Sequence, residues 1–146
     1  MRISGTISTV LGQKGRQVFS IAPDTTVFEA IQLMAEKNVG ALLVMSGDEL
    51  LGVVSERDYT RKVALKGKSS RETTVRDIIS SPIISATHDH SVEECMRLMT
   101  HHRIRHLPVL DGKKITGVVS IGDLVNWTIS AQDAAIEQME SYITGR

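Results

Sequence analysis

The sequence predicts an α/β fold, of the α+β kind, built from two copies of one strand–helix–strand–strand–helix unit. The chain has 146 residues, and residues 18–60 align without a gap on residues 83–125, an offset of 65 positions. A unit of this length found twice is too long for a solenoid repeat and too short to be a comfortable domain alone. We therefore expect the two copies to pack face to face about a pseudo-twofold axis, which leaves two related clefts.

The elements of the first copy follow from local patterns. Residues 18–22 (VFSIA) are rich in strand-forming side chains. Thr26 and Glu29 then have the spacing of a capping box, which predicts a helix start. The apolar run at residues 41–45, the turn around Gly47 and the apolar residues that follow predict a β-hairpin. The same signals recur 65 positions later, so a second unit of the same kind is expected.

Five segments are predicted along the chain. They are an N-terminal segment (1–16), the first repeat (17–66), a polar linker (67–76), the second repeat (77–130) and a C-terminal helix (131–146). Ile136, Met139 and Ile143 give this last helix a narrow apolar stripe that the repeat does not require. The stripe is equally consistent with packing on its own domain and with pairing to another subunit.

Composition argues against several classes of protein. The formal net charge is zero and only 3% of residues are aromatic, which disfavours a nucleic-acid-binding surface. The single cysteine, Cys95, allows no intrachain disulfide and lies at an apolar helix position, so we expect a core residue. No apolar run approaches the length of a membrane span, and the N-terminus lacks a signal-peptide core. A cytoplasmic protein is therefore expected.

A Ser-x-x-Asp pattern at the end of each repeat is the strongest chemical signal. Ser55 with Asp58, and Ser120 with Asp123, place a hydroxyl at a strand end and a carboxylate in the first turn of a helix. One interpretation is structural, because such pairs cap helices. The other is that the carboxylate binds a cis-diol, as in ribose, beside a helix N-terminus that faces a phosphate or sugar oxygen.

The two repeats resemble a pair of cystathionine β-synthase (CBS) domains. The resemblance covers about residues 17–130 and depends on RIRHLPVLDG (103–112), GVVSIGDL (117–124) and VRDIISSP (75–82). The whole chain is similar to small bacterial proteins that contain little besides one such pair. The resemblance implies a regulatory, energy-sensing module that binds an adenine nucleotide in its clefts, with AMP favoured and NAD, ADP or ATP also possible.

The same resemblance implies which residues contact the ligand. Asp58 and Asp123 would contact ribose, with Ser55 and Ser120 beside them. The adenine slot would be lined by the first strand of each repeat, at Ile21, Ala22, Ala86 and Thr87.

Several basic residues could bind the phosphate group. Arg105 and His106 precede the strand of the second repeat, where the family often carries phosphate-binding residues, and the first repeat has uncharged residues there. Arg57 has no basic counterpart in the second repeat, and Lys14 lies just before the first strand. We expect unequal clefts, of which at least one binds phosphate well.

No enzyme is predicted, because the chain lacks a phosphate-binding glycine loop and any plausible nucleophile–His–acid set. The run His101–His106 is not expected to bind a metal, since a helix end separates His102 from His106. No catalytic cofactor, nucleic acid or membrane is therefore expected. The resemblance implies a disc-like homodimer and an unknown regulated protein. The alternative is a ligand-free structural or interaction protein that acts through its dimer surface.

Overall fold

The computed structural model describes residues 5–79 and 82–144. Residues 1–4, 80–81 and 145–146, which belong to the predicted N-terminal segment, the second repeat and the C-terminal helix, lie outside the described residues. The chain divides into two compact units. The first-repeat unit is Gln17–Ile84, and the second-repeat unit combines Met1–Arg16 with Ser85–Arg146. The predicted N-terminal segment thus belongs to the same unit as the second repeat.

The first-repeat unit contains a three-stranded sheet in the order β1–β2–β3. Strand β1 (Ser20–Ile21) runs parallel to β2 (Ala41–Ser46), and β2 forms an antiparallel hairpin with β3 (Glu49–Ser55). Helix α2 (Val27–Lys37) lies between β1 and β2, and a short helix, α3 (Glu56–Tyr59), follows β3 and continues as a π-helical turn (Thr60–Ala64). The predicted hairpin and both helices are confirmed.

The core of this unit is one apolar cluster of helix and strand side chains. Val27, Ala30 and Met34 on one face of α2 pack with Leu42 and the neighbouring buried residues of the sheet. The apolar run at 41–45 is explained by this packing, because Leu42, Leu43 and Val44 of the central strand β2 are at most 1% exposed. A 3-10 helix (Val75–Asp77) closes the unit through buried Val75 and Ile78.

The second-repeat unit has the same order of elements with a shorter sheet. Helix α4 (Val92–His102) precedes an antiparallel hairpin of β4 (His106–Asp111) and β5 (Lys114–Ser120). The predicted first strand is reduced to one parallel bridge, in which Ala86 pairs with Val109. Ala86 donates its N–H to Pro108 O and accepts from Leu110 N, so the chain follows a strand path there without forming a ladder.

Helix α1 (Ile7–Lys14) is an element that the repeat pattern did not predict. Its buried residues Ile7, Val10 and Leu11 belong to the core of the second-repeat unit. Ile7 N donates to His90 O, just as Val75 N donates to Thr25 O in the first-repeat unit. Helix α1 therefore takes the place in one unit that the 3-10 helix takes in the other, although it precedes its repeat by many residues.

Helix α5 is a single helix, Ile121–Thr144, of 24 residues. It joins the predicted helix of the second repeat to the predicted C-terminal helix without a break. Leu124 is fully buried, and Trp127, Thr128 and Ala131 are half-buried, so one face packs on its own unit. The predicted apolar stripe lies elsewhere on the helix and is exposed.

Helix α4 begins with a complete capping box. Glu94 N donates to Ser91 Oγ at 2.9 Å, and Ser91 N donates to Glu94 Oε1 at 3.1 Å. In α2 the cap bond from Glu29 N to Thr26 Oγ1, at 3.2 Å, is made without that second bond. We expect Ser91→Ala to lower the free energy of unfolding by about 1 kcal/mol, measured by urea denaturation, because one N–H at the helix start loses its partner. A Thr26→Ala change is the matched comparison in the other repeat.

The pH dependence of stability gives a second measurement on the same box. The hydrogen bond from the Ser91 backbone lowers the pKa of Glu94 below its usual 4.5. A carboxylate whose pKa is lower in the folded state stabilises the protein above its unfolded pKa, and this stabilisation is lost as the pH falls through the folded value. Glu94→Gln should therefore make the stability less dependent on pH below about pH 4.5. An equal pH dependence of stability in the wild-type protein and in Glu94→Gln would contradict the lowered pKa of Glu94 in the folded state.

Candidate functional site

The Ser120–Asp123 pair closes the end of β5 onto the start of α5. Ser120 N donates to Asp123 Oδ2 at 2.7 Å, and Asp123 N donates to Ser120 Oγ at 3.1 Å. The pair therefore caps its own helix, as the structural interpretation predicted. Both hydrogen bonds that the structure gives to the Asp123 carboxylate, including the one from Lys14 described next, fall on Oδ2. The cap thus engages one of the two carboxylate oxygens.

Lys14 brings a positive charge to this carboxylate from a distant part of the sequence. Its Nζ lies 2.5 Å from Asp123 Oδ2 and 2.6 Å from Val118 O. Lys14 ends helix α1, where a cation also interacts favourably with the helix dipole. The Lys14 and Asp123 side chains are 33% and 22% exposed, so the ion pair is open to an approaching ligand.

A hollow of about 250 Å³ lies beside the ion pair, between α1 and α5. Its walls combine charged, amide, hydroxyl and indole groups, contributed by Val10, Gln13, Lys14, Asp123, Asn126, Trp127 and Ser130. All of these residues belong to the second-repeat unit. The hollow places one indole and one valine beside a carboxylate and an ammonium, and the rest of its lining is polar, so its chemistry suits a small polar ligand.

Arg105 and His106 come to the same end of the hairpin. His106 stands opposite Ser120 in the β4–β5 register, and Arg105 O accepts a hydrogen bond from Ile121 N at 2.8 Å. His106 is half-buried and Arg105 is exposed. The pairing of β4 with β5 therefore brings the backbones of both basic residues next to the start of α5, where Asp123 lies.

The Ser55–Asp58 pair repeats the cap with a different partner. Asp58 Oδ2 accepts from Ser55 N at 2.9 Å and from Ser55 Oγ at 3.0 Å, and Asp58 N donates to Ser55 Oγ at 3.2 Å. Lys62 Nζ lies 3.2 Å from Asp58 Oδ1 and also donates to Ile78 O at 2.8 Å. Both oxygens of Asp58 therefore have partners inside the unit, whereas the contacts of Asp123 fall on one oxygen.

The remaining predicted site residues are spread along the chain and are not gathered at one site. Ile21 is half-buried on β1 opposite Val44, and Ala22 is exposed just after it. Ala86 is 1% exposed, so its side chain is enclosed by its own unit and offers little surface to a ligand. Thr87 is exposed, and its N–H donates to His90 Nδ1 at 2.8 Å.

Arg57 is half-buried in α3 and engages in a polar contact. The predicted adenine slot stays a prediction.

Cys95 is a core residue, as predicted. It is fully buried, and burial raises the pKa of its thiol to about 11, so the thiol is protonated at neutral pH. A protonated, enclosed thiol is a poor nucleophile.

Among residues 5–79 and 82–144, no cluster of three or more His, Cys, Asp or Glu side chains could hold a metal ion. No described helix combines the length and apolar character that crossing a bilayer requires.

Comparison with known proteins identifies the family. The CBS domain matches residues 15–65 and 75–130. The mitochondrial CBS domain-containing protein CBSX3 of Arabidopsis thaliana is 38% identical over 97% of this chain and 73% of its own length. Because this relative is a mitochondrial plant protein, a bacterial origin and a cytoplasmic location stay predictions.

Solved structures agree with the family match. A CBS-domain protein from Burkholderia ambifaria is 46% identical, with a TM-score of 0.84 over 88% of this chain and 96% of that one. The CBS domain pair of protein MJ0100, solved with 5′-methylthioadenosine and S-adenosyl-L-methionine, shares the fold at 19% identity, with a TM-score of 0.73 over 84% of this chain and 94% of that one. With both repeats matched by the family and the fold shared with these structures, the chain belongs to the CBS-domain family and carries one tandem pair.

Proposed function

We propose that this chain is a regulatory module that binds an adenine nucleotide, with AMP the first candidate, and signals to a partner by a conformational shift. The observation that carries the proposal is the Asp123–Lys14 ion pair at the edge of a 250 Å³ hollow. A carboxylate suits a ribose diol, since it accepts two hydrogen bonds, and an ammonium suits a phosphate. A shift between two states further requires that the ligand bind one of them more tightly.

The charges near Asp123 favour a monophosphate. Lys14 lies against the carboxylate. Arg105 and His106 lie at the start of β4, and the pairing of β4 with β5 brings their backbones next to the start of α5. Lys14 is the basic residue that lines the hollow, and one ammonium suits a single phosphate group, whereas the larger charge of a triphosphate calls for more cations or a metal ion. ATP, ADP and NAD are therefore weaker candidates.

The fold neighbour MJ0100 supports an adenosyl ligand of some kind. That protein was solved with two adenosyl compounds that carry no phosphate group. In this chain the cation against Asp123 argues for a phosphate-bearing ligand instead. S-adenosyl-L-methionine and adenosine are the informative comparisons in any ligand screen.

The Asp58 site is proposed to be the weaker of the two. Lys62 lies against Asp58 Oδ1 while Ser55 engages Oδ2. A diol would have to displace one of these partners, so part of its binding free energy would be lost. A difference between the two sites is also expected from the sequence, which predicts two clefts with different basic residues.

A ligand screen by thermal unfolding tests the proposal. AMP should raise the unfolding temperature more than adenosine or S-adenosyl-L-methionine. At roughly 100 times its Kd a ligand adds about 2.7 kcal/mol to the free energy of unfolding. Isothermal calorimetry on the same samples gives the affinities. The absence of a shift with AMP, ADP, ATP, NAD, S-adenosyl-L-methionine and adenosine alike would overturn the proposal.

The second candidate is an interaction protein that acts through its dimer surface. The observation in its favour is the exposed apolar row on α5, where Ile136, Met139 and Ile143 are 50%, 61% and 77% exposed. Isolated apolar side chains are normal on a surface, whereas a continuous row points to a contact. This candidate predicts no thermal shift with any nucleotide. Neither candidate requires catalysis.

A further inference from the structure

Each repeat supplies a lysine to its Ser-x-x-Asp carboxylate, but the two lysines come from different places in the chain. In the second-repeat unit the ammonium belongs to Lys14 of helix α1 and contacts Asp123 through Oδ2. In the first-repeat unit it belongs to Lys62, four residues after Asp58 in the same helical segment, and lies 3.2 Å from Asp58 Oδ1. The contact is therefore made twice from unrelated positions, which the duplication of the fold does not explain.

The Lys62 ammonium is held by two acceptors on different elements. Besides its contact with Asp58 Oδ1, its Nζ donates to Ile78 O at 2.8 Å, just after the 3-10 helix. Asp58 Oδ2 accepts from both the N–H and the hydroxyl of Ser55. Each carboxylate oxygen thus has a partner inside the unit, and a ribose hydroxyl that approaches Asp58 has to displace one of them.

The helical segment that carries Lys62 differs from its counterpart in the second repeat. Residues Thr60–Ala64 form a π-helical turn, in which Leu65 N donates to Thr60 O, five residues back, at 3.0 Å. At the offset of 65 positions, Trp127 takes the place of Lys62 and lies in the regular helix α5, where it lines the hollow of the second-repeat unit. Short π-helical turns occur frequently at functional sites. The same position therefore carries an ammonium on the carboxylate in one repeat and a wall of a hollow in the other.

We propose that Lys62 is a specificity-determining residue that keeps a ribose diol off Asp58, so that each chain binds one nucleotide, at Asp123. The inference rests on the proposed function and assigns it to one of the two repeats. The ammonium acts in two ways, because it is a hydrogen-bond donor already placed on Oδ1 and because its charge neutralises the carboxylate. At Asp123, by contrast, Lys14 and the helix cap share Oδ2, so a diol can use Oδ1.

Removal of the ammonium should open the Asp58 site to a nucleoside. Lys62→Met keeps a long unbranched side chain but loses the charge, so Oδ1 becomes available to a hydroxyl group. The same change removes a cation that a phosphate group could contact, so adenosine is a better probe of this site than AMP. An Asp123→Asn background weakens the other site, so that binding reports on Asp58.

Calorimetry with adenosine in the Asp123→Asn background measures the effect. Lys62→Met should raise the adenosine affinity at least about tenfold, the effect of one hydrogen bond to a charged group. Lys62→Gln, which is uncharged but polar, should also raise it and serves where the methionine variant folds poorly. Arg61→Met, an exposed neighbour in the same turn, loses the same charge and should leave the affinity within about twofold. Lys62→Arg keeps a cation beside the carboxylate and should give no gain.

Asp58→Asn, added to Lys62→Met, should abolish the gain, and a gain that survives it would place the new site elsewhere and overturn the inference. The absence of a gain in folded Lys62→Met and Lys62→Gln, or an equal gain in Arg61→Met or Lys62→Arg, would also overturn it. Titration of the wild-type chain to two AMP molecules would overturn the inference and leave the proposed function standing. No binding of any nucleotide to the wild-type chain would overturn the proposed function, while the adenosine gain would still decide whether Lys62 keeps Asp58 closed.

Discussion

Replacing Asp123 by asparagine is expected to weaken AMP binding by about ten- to a hundredfold, because charge-assisted hydrogen bonds to a diol contribute about 1.5–3 kcal/mol. The amide keeps the size of the side chain and one acceptor oxygen, so the cap on α5 should largely persist. The change removes the negative charge that both the diol and Lys14 would contact. Calorimetry with AMP gives the affinity, and thermal unfolding without ligand gives the cost to the fold.

Asp133→Asn is the matched control for this change. Asp133 lies on the same helix and is exposed, so the same loss of charge occurs away from the hollow. AMP affinity should stay within about twofold of the wild-type value, since an exposed charge at this distance is largely screened. An unchanged affinity in Asp123→Asn would remove Asp123 from the ribose contact and leave it a helix cap alone.

Lys14→Met distinguishes the contact with the phosphate group from the contact with the nucleoside. In the structure the ammonium lies on Asp123 Oδ2 and neutralises the carboxylate that a nucleoside would contact through Oδ1, whereas a nucleotide can also engage the ammonium through phosphate. The substitution should lower AMP affinity about tenfold and leave adenosine affinity unchanged or raised. Equal losses for AMP and adenosine would place Lys14 away from the phosphate and make it a support for the helix start.

The internal repeat carried most of the information about the fold. The offset of 65 positions predicted both hairpins, their flanking helices and the two Ser-x-x-Asp ends, because each of these has local chemistry that a single segment can show. The capping positions Ser55 and Ser91 are examples, since the side chain and the backbone N–H that it meets are three residues apart. Contacts of this range can be predicted from sequence.

Contacts between distant segments could not be predicted in the same way. Lys14 meets Asp123 across 109 positions, and nothing in the alignment of the repeats pairs them. A signal for helix α1 was present, because residues 6–11 (TISTVL) share with residues 74–79 (TVRDII) a threonine followed by apolar residues at the same three places. This second similarity has an offset of 68 positions, and the main repeat at 65 positions conceals it. The repeat alone therefore predicts each unit without the helix that closes it.

Gly117→Val is expected to destabilise the second-repeat unit by about 2–3 kcal/mol, which lowers the unfolding temperature by several degrees. A Cβ at Gly117 of β5 would lie 2.8 Å from Leu11 Cδ2 and 3.1 Å from Leu11 Cδ1, closer than packed carbon atoms allow. Leu11 is 1% exposed, so its side chain has little room to move away. The larger valine side chain would push against α1, the helix that carries Lys14.

A double-mutant cycle with Leu11→Ala shows whether this clash is the cause. Leu11→Ala alone should cost about 2–5 kcal/mol, because it leaves a cavity. In the double variant the valine occupies part of that cavity, so the combined cost should be at least about 1 kcal/mol smaller than the sum of the two. Strictly additive costs would show that Gly117 is required for another reason.

Gly12→Ala in α1 serves as the opposite control. A Cβ there would meet no atom within 4 Å, so the helix should be stabilised by up to about 1 kcal/mol. Since Gly117→Val would displace α1 while Gly12→Ala would stiffen it, AMP affinity should fall in the first variant and hold in the second. That difference would connect the packing of one strand glycine to the position of the Lys14 ammonium at the candidate site.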